Sequence, residues 1–116
     1  MSGFHDFVVE LFAEFGAVRI RRMFGGAGLY AGELMFGLID DETIFLKTDD
    51  ALKAELQAHG SSPWIYSRAP GKWEETSYWR LPETALDDPQ EAAGWARKAL
   101  AAASAKAAAR PRRRGR

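Results

Sequence analysis

The stretch RRMFGGAGLYAGELMFGLIDDETIFLK, residues 21–47, decides the fold of this chain. Beyond its glycines, the segment AGLYAGELMFGLIDDETIFLK contains three short apolar runs, separated by turn signals at Ala31-Gly32 and at Asp40-Asp41-Glu42. Short apolar runs bounded by turn residues are typical of strands, and turns this short join antiparallel neighbours. The stretch therefore predicts an antiparallel meander.

The glycines that follow Arg22 raise the question of a phosphate-binding loop. Such a loop leads straight into a helix, whose N-terminal amides and dipole meet the anion. Here the glycines lead into a strand, and the segment lacks both the Gly-Lys-Ser/Thr ending and the G-x-G-x-x-G spacing. We therefore interpret Gly25, Gly26 and Gly28 as permitting a bulge or a close backbone approach in the sheet, with Met23 and Phe24 pointing into the core.

The residues before this stretch predict a helix followed by a strand. Apolar side chains recur at the three-four spacing of one helical face: Phe4, Phe7, Val8, Leu11, Phe12 and Phe15. This spacing is typical of an amphipathic helix, and Gly16 follows where a C-terminal cap is expected. Val18 and Ile20 then alternate with Arg19 and Arg21, which predicts a short strand with one wet face.

The residues after the stretch predict a second helix, a hairpin and a third helix. The segment TDDALKAELQAHG, residues 48–60, offers Thr48 or Asp49 as an N-cap and ends on a glycine. The segments SPWIYS, residues 62–67, and WEETSYWRLP, residues 73–82, flank a Pro-Gly turn signal, which is the pattern of a hairpin. The last helix begins at Asp87 or Asp88 and ends before Pro111.

Together these elements predict the order α-β-β-β-β-α-β-β-α. Hairpin-rich blocks with helices between them indicate a two-layer α+β domain, in which an antiparallel sheet of five or six strands carries helices packed on one face. Since the first and last helices need one apolar sheet face to cover, we expect Phe12, Ile44, Leu46 and Trp95 to be buried together.

Charge divides the chain into an acidic body and a basic tail. Residues 1–105 contain ten Lys/Arg against sixteen Asp/Glu, whereas residues 106–116 contain six cations and no acid. We interpret residues 1–105 as one folded domain and residues 106–116 as a disordered Ala/Arg-rich tail. No apolar run approaches the roughly 18 residues that span a bilayer, so we expect a bacterial cytoplasmic protein with no membrane contact.

Residues suited to catalysis or metal binding are scarce. The chain has no cysteine, which excludes disulfides and thiolate sites, and neither His5 nor His59 lies in a pattern typical of a general base. The acid pairs at residues 40–41, 49–50 and 87–88 fall at turns or helix starts, where Asp caps backbone N–H groups. We therefore expect no enzyme activity, no cofactor and no metal.

Cations and aromatic side chains are interleaved along the predicted strands. The cations are Arg19, Arg21, Arg22, Lys47, Arg68, Lys72 and Arg80, with Tyr66, Trp73 and Tyr78 between them. Sheets that hold single-stranded nucleic acid use this combination, although an acidic body opposes phosphate binding. A solvated or partner-binding face is the alternative interpretation.

The arginines of the tail are a second candidate for nucleic-acid contact. They are Arg110, Arg112, Arg113, Arg114 and Arg116. Five phosphate contacts would give a salt slope of at most about −4.5 on duplex DNA, which predicts weak, non-specific binding at physiological salt. A purely solubilising terminus is the other interpretation.

Two motifs carry a family resemblance. With MFGGAGLY at residues 23–30 and SYWRLP at residues 77–82, the chain resembles the N-terminal domain of the TfoX/Sxy family over residues 5–103. The matching motif residues are Arg22, Met23, Phe24, Gly25, Gly26, Gly28, Tyr30, Ser77, Tyr78, Trp79 and Arg80. The resemblance implies a compact α+β domain in which these residues have structural or interaction roles.

For the named members, the resemblance also implies regulation of natural competence. They activate late competence genes and act with a cyclic-AMP receptor protein. Those regulators carry a second, C-terminal helical domain, where this chain has the Ala/Arg tail. The first functional hypothesis is therefore a non-enzymatic regulatory module that binds a protein partner, with an unassigned oligomeric state. The alternatives are a nucleic-acid-associated accessory protein that uses the tail and the sheet cations, and a small-ligand-binding or enzymatic domain with a pocket near residues 23–30.

Overall fold

The computed structural model describes residues 3–23 and 25–109. In chain order its elements are α1 (Gly3–Leu11), β1 (Arg19–Met23), β2 (Gly26–Ala31), β3 (Leu34–Asp40), β4 (Thr43–Lys47), α2 (Asp50–Ala58), β5 (Pro63–Ala69), β6 (Lys72–Arg80) and α3 (Pro89–Ala109). A short 3₁₀ turn at Glu83–Asp87 precedes α3. The predicted order of helices and strands is confirmed.

The strands form one antiparallel sheet in the order β1-β2-β3-β4-β6-β5. Helix α3 packs along β3 and β4, while α2 lies against β6 and α1 against α3. Alternate residues of each strand therefore face this helical layer, and the others form the opposite surface, which we name the open face. The predicted two-layer α+β architecture is confirmed.

The core lies between the sheet and the helices, as predicted. Phe12 and Leu46 are fully buried, Ile44 and Trp95 are nearly so, and all four belong to one apolar cluster. The ring of Phe12 meets Phe36 edge to face at 5.8 Å between centroids. Phe12, Phe36 and Trp79 thus supply the buried aromatic rings from earlier in the chain, while α3 contributes mainly small alanines and Trp95.

Acidic residues define several turns and helix starts. Asp49 caps α2, because its Oδ1 accepts a hydrogen bond from the backbone N–H of Leu52 at 2.9 Å. Asp88 caps α3 in the same way. The β3–β4 turn places Asp41 at φ 51° and Glu42 at φ 53°, the conformation of a two-residue hairpin turn that usually selects Asn-Gly. The predicted capping roles of Asp49 and Asp88 are confirmed.

Several details differ from the sequence predictions. Helix α1 ends at Leu11, and the chain continues to Gly16 in tight turns. Met23 does not point into the core but is 42% exposed, because strand alternation from Ile20 places it on the open face with Arg21. Phe24 lies outside the described residues. The irregularity of β2 and β3 lies at Leu29 and the following residue, not at the glycines.

Candidate functional site

The open face brings together cations and aromatic residues from five strands. Residues that pair across neighbouring strands share a face, and the register pairs Arg19 with Tyr30, and Lys47 with Tyr78. Arg80 pairs with Phe45 and lies on the same surface. Of the cations predicted for this face, the structure therefore unites Arg19, Arg21, Lys47 and Arg80.

Tyr30 is the centre of the first half of this surface. The guanidinium carbon of Arg19 lies 5.0 Å from the ring centroid of Tyr30, and that of Arg21 lies at 5.7 Å. Arg19 Nη2 also donates a hydrogen bond to the carbonyl of Gly32 at 3.0 Å. The ring packs over Gly28, where an added Cβ would lie 3.0 Å from Tyr30 Cε1. The absence of a side chain at Gly28 thus makes room for a tyrosine whose ring is approached by two guanidinium groups, a favourable cation–π arrangement.

Tyr78 and Lys47 extend the same cluster. Lys47 Nζ lies 5.1 Å from the ring centroid of Tyr78 and donates a hydrogen bond to Ser77 Oγ at 2.7 Å. Burial lowers the pKa of Lys47, and the positive charge of Lys106 acts in the same direction. Burial raises the pKa of the Tyr78 phenol, and the Tyr30 phenol contributes in the same sense. Lys47 and Tyr78 thus form a second cation–aromatic pair on the open face, beside the one around Tyr30.

The second half of the open face is aromatic. Trp64 stacks at a tilt against Tyr66 at 5.4 Å and against Phe45 at 6.2 Å between ring centroids. Its indole Nε1 donates a hydrogen bond to Asp40 Oδ2 at 3.1 Å. Trp64 on β5 thus reaches across the sheet to the end of β3, and Tyr66, which is 48% exposed, forms the outer edge of the cluster.

The open face is basic although the body of the protein is acidic. Strand alternation places on it the four cations Arg19, Arg21, Lys47 and Arg80 together with the acids Asp40 and Glu74, and Lys72 follows at the hairpin tip. Residues 1–109 as a whole hold eleven Lys/Arg and sixteen Asp/Glu. Within the described part of the chain, the four cations form no ion pair with a carboxylate, whereas Lys98 and Glu55 pair on the helical side. Positive potential is therefore concentrated on the surface that no described helix covers.

The remaining motif residues serve the framework or a separate cavity. Trp79 is 6% exposed within the core, and the Ser77 carbonyl accepts hydrogen bonds from the Thr48 N–H and hydroxyl, each at 2.8 Å. The cavity has a volume of about 340 Å³ and is lined by Phe4, His5, Arg22, Met23, Gly25, Gly26, Ile39, Asp41 and Glu42. Four motif residues thus line a cleft of mixed charge at one end of the sheet.

Other residues that the sequence suggested for nucleic-acid or partner contact do not join this cluster on the open face. Arg22 lines the cavity instead, and Lys72 and Trp73 lie at the tip of the β5–β6 hairpin. The side chain of Arg68 and the five tail arginines lie outside the described residues. Phe45 and Trp64 were not predicted to lie on this face. The alternation of residues in β4 could have indicated the position of Phe45. The position of Trp64 could not be predicted in this way, because it depends on how the β5–β6 hairpin lies across the sheet. Among the described residues there is no cluster of three or more side chains suited to a metal ion.

Comparison with protein families identifies one match. The family model described as the TfoX N-terminal domain matches residues 10–103, which include the cavity-lining motif, the open-face cluster and most of α3. A search of curated proteins gives no match. In the described part of the chain, no helix combines the length and apolar character needed to cross a membrane.

Proposed function

The chain belongs to the TfoX N-terminal domain family, and we propose that it is a non-enzymatic regulatory module that binds a protein partner through the open face. The observation that carries this proposal is the basic and aromatic cluster around Tyr30 and Tyr78. Exposed tyrosine, tryptophan and arginine side chains are enriched where proteins bind one another. A sheet face with these residues and no covering helix among the described elements is therefore suited to a partner.

The structural contacts of one histidine and two carboxylates support a non-enzymatic role. A general base needs a nucleophile or a carboxylate within hydrogen-bond reach. His59 lies at the end of α2, with its ring 5.1 Å from that of Trp95 in an edge contact. Asp49 and Asp88 are engaged in helix capping. The side chains of these three residues are thus held in structural contacts.

Family membership favours transcription as the setting of the proposed interaction. The regulators that this chain resembles act on competence genes together with a cyclic-AMP receptor protein. We therefore propose a bacterial cytoplasmic partner connected with gene regulation. The open face supplies the contact, and the helical layer supplies the rigid support beneath it.

Site-directed photo-crosslinking in the source cell tests the proposed face. A photo-crosslinking amino acid in place of the exposed Tyr66 or Arg80 is expected to capture one discrete protein. The matched control replaces Gln57, which is exposed on α2 on the helical side. Equal capture from all three positions, or capture only from position 57, would contradict the proposal, because the contact would then not be specific to the open face.

Nucleic-acid association is the second candidate function, and the cation–aromatic cluster favours it. Single-stranded nucleic acid binds where cations track the backbone and aromatic rings stack on bases. The acidic charge of the other surfaces opposes this function at long range. The tail arginines offer an additional source of positive charge.

A truncation separates the tail from the open face. Since α3 extends through Ala109, the variant that ends there removes five arginines and leaves all described helices intact. We expect the truncated protein to keep its melting temperature and to lose any salt-sensitive binding to DNA or RNA, measured by fluorescence anisotropy across a salt series. Retention of a steep salt slope by the truncated protein would instead favour nucleic-acid binding by the open face.

A further inference from the structure

Strand β1 is a terminal edge of the sheet. It pairs with β2 on one side and stands at the end of the sheet order. Four of its five residues are exposed, and only Ile20 packs against the core. An edge of this kind presents a row of backbone N–H and C=O groups to solvent, which can accept a further strand.

The sequence of β1 restricts what can pair there. Three of its five residues are arginines: Arg19, Arg21 and Arg22. Two copies of the chain that paired through β1 would bring these like charges together, which is unfavourable for directly opposed residues. The edge therefore disfavours a second copy and favours a strand of opposite charge.

The guanidinium groups of Arg19 and Arg21 can still bind the carboxylates of an acidic partner. The guanidinium groups of Arg19 and Arg21 contact the Tyr30 ring, and Arg19 also bonds the Gly32 carbonyl. Neither group pairs with a carboxylate anywhere in residues 3–23 or 25–109. A guanidinium held by an aromatic ring loses little conformational freedom on binding, and its planar donors match a carboxylate.

We propose that β1 accepts an extended, acidic segment of a protein partner as a seventh strand. Alternate residues of a strand face the same side, so a segment with Glu or Asp at every second position places carboxylates opposite Arg19 and Arg21. The inference rests on the proposed function in taking the partner to be a protein. It adds the place of contact, the extended conformation and the acidic character of the segment.

The test uses the full chain and a fluorescent eight-residue peptide of alternating Glu and Thr. We expect the peptide to bind and to raise the fluorescence anisotropy. Two further peptides carry N-methyl groups on every second backbone amide, one at the Glu and the other at the Thr positions. Both peptides keep all their carboxylates. Because alternate backbone amides of a strand point to opposite edges, N-methylation blocks the amides that would hydrogen-bond to β1 in one of the two peptides and not in the other. The blocked peptide is expected to bind at least about tenfold more weakly than the unmodified one.

Charge variants locate the binding edge. Arg21→Glu is expected to weaken binding by at least about tenfold, and Arg21→Gln by a smaller factor. Arg97→Glu, which makes the same change at an exposed position on α3, is expected to bind as the unaltered protein does. The melting temperature of each variant checks that the fold is retained.

Several results would overturn the inference. Absence of peptide binding, equal binding of all three peptides, or equal loss in the Arg21 and Arg97 variants would each exclude strand addition at β1. Binding of single-stranded oligothymidine with the same Arg21 dependence, and more tightly than the peptide, would assign the edge to nucleic acid. Because the crosslinking experiment probes Tyr66 and Arg80, a partner captured there without peptide binding would sustain the proposed function and reject this inference.

Discussion

Replacement of Gly26 by alanine is expected to destabilise the fold by about 3 kcal/mol, near the upper end of what overpacking usually costs. A Cβ at Gly26 would lie 2.2 Å from the carbonyl oxygen of Ile39. That oxygen belongs to the backbone of β3, which pairs with β2 on one side and β4 on the other. The clash can be relieved only by moving strands in the middle of the sheet. Urea denaturation measures the loss as a lowered midpoint.

Gly25 is the matched control for this substitution. It has φ 68°, and a methyl group added there would enter open space, with no heavy atom of the surrounding structure within 4 Å. Gly25→Ala therefore carries only the cost of the left-handed conformation, about 1 kcal/mol. If Gly25→Ala destabilised the protein more than Gly26→Ala, close approach of β2 and β3 would not be the reason for the second glycine.

Truncation of Phe12 to alanine is expected to cost about 3–5 kcal/mol of unfolding free energy. The side chain is completely buried and contacts Phe36 and Phe15 at 5.8 and 6.4 Å between ring centroids. Its removal leaves a cavity between the end of α1 and the sheet, which surrounding aromatic rings cannot readily fill. Chemical denaturation followed by tryptophan fluorescence gives the difference in unfolding free energy.

Phe7→Ala serves as the comparison for Phe12→Ala. Phe7 lies on α1, five residues before Phe12, but is 38% exposed, and its ring contacts Phe4 at 5.8 Å. We expect a loss of about 1 kcal/mol or less, since a partly solvated ring leaves no closed cavity. Equal losses at the two positions would mean that α1 is not docked through Phe12.

The candidate surface was predictable in part. The alternation of Arg19 and Arg21 with Ile20 indicated that both arginines share a wet face, and the structure confirms it. The same reasoning included Arg22, which alternation itself places on the other side of β1. Lys72 and Trp73 were included among the interleaved cations and aromatic residues of the strands, but only the strand register shows that β6 extends there beyond its pairing with β4.

The roles of Gly25, Gly26 and Gly28 were likewise predictable only in part. The context of a following strand was sufficient to reject a phosphate-binding loop and to predict a close backbone approach. Which glycine has which role depended on strand pairing: Gly25 adopts a positive φ, Gly26 faces the Ile39 carbonyl, and Gly28 lies beneath Tyr30. The close approach at Gly26 depends on a residue in another strand, so local sequence does not contain it.

By itself, the sequence determined the order of the elements, the apolar core and, to within two neighbouring residues, the N-caps of α2 and α3. Periodicity and capping are local properties, encoded by residues a few positions apart. Only the tertiary structure decided that Arg19 and Arg21 contact Tyr30, that Lys47 lies over Tyr78, and that Trp64 reaches Asp40. Those contacts join residues far apart in the chain, and their geometry follows from the register and order of six strands.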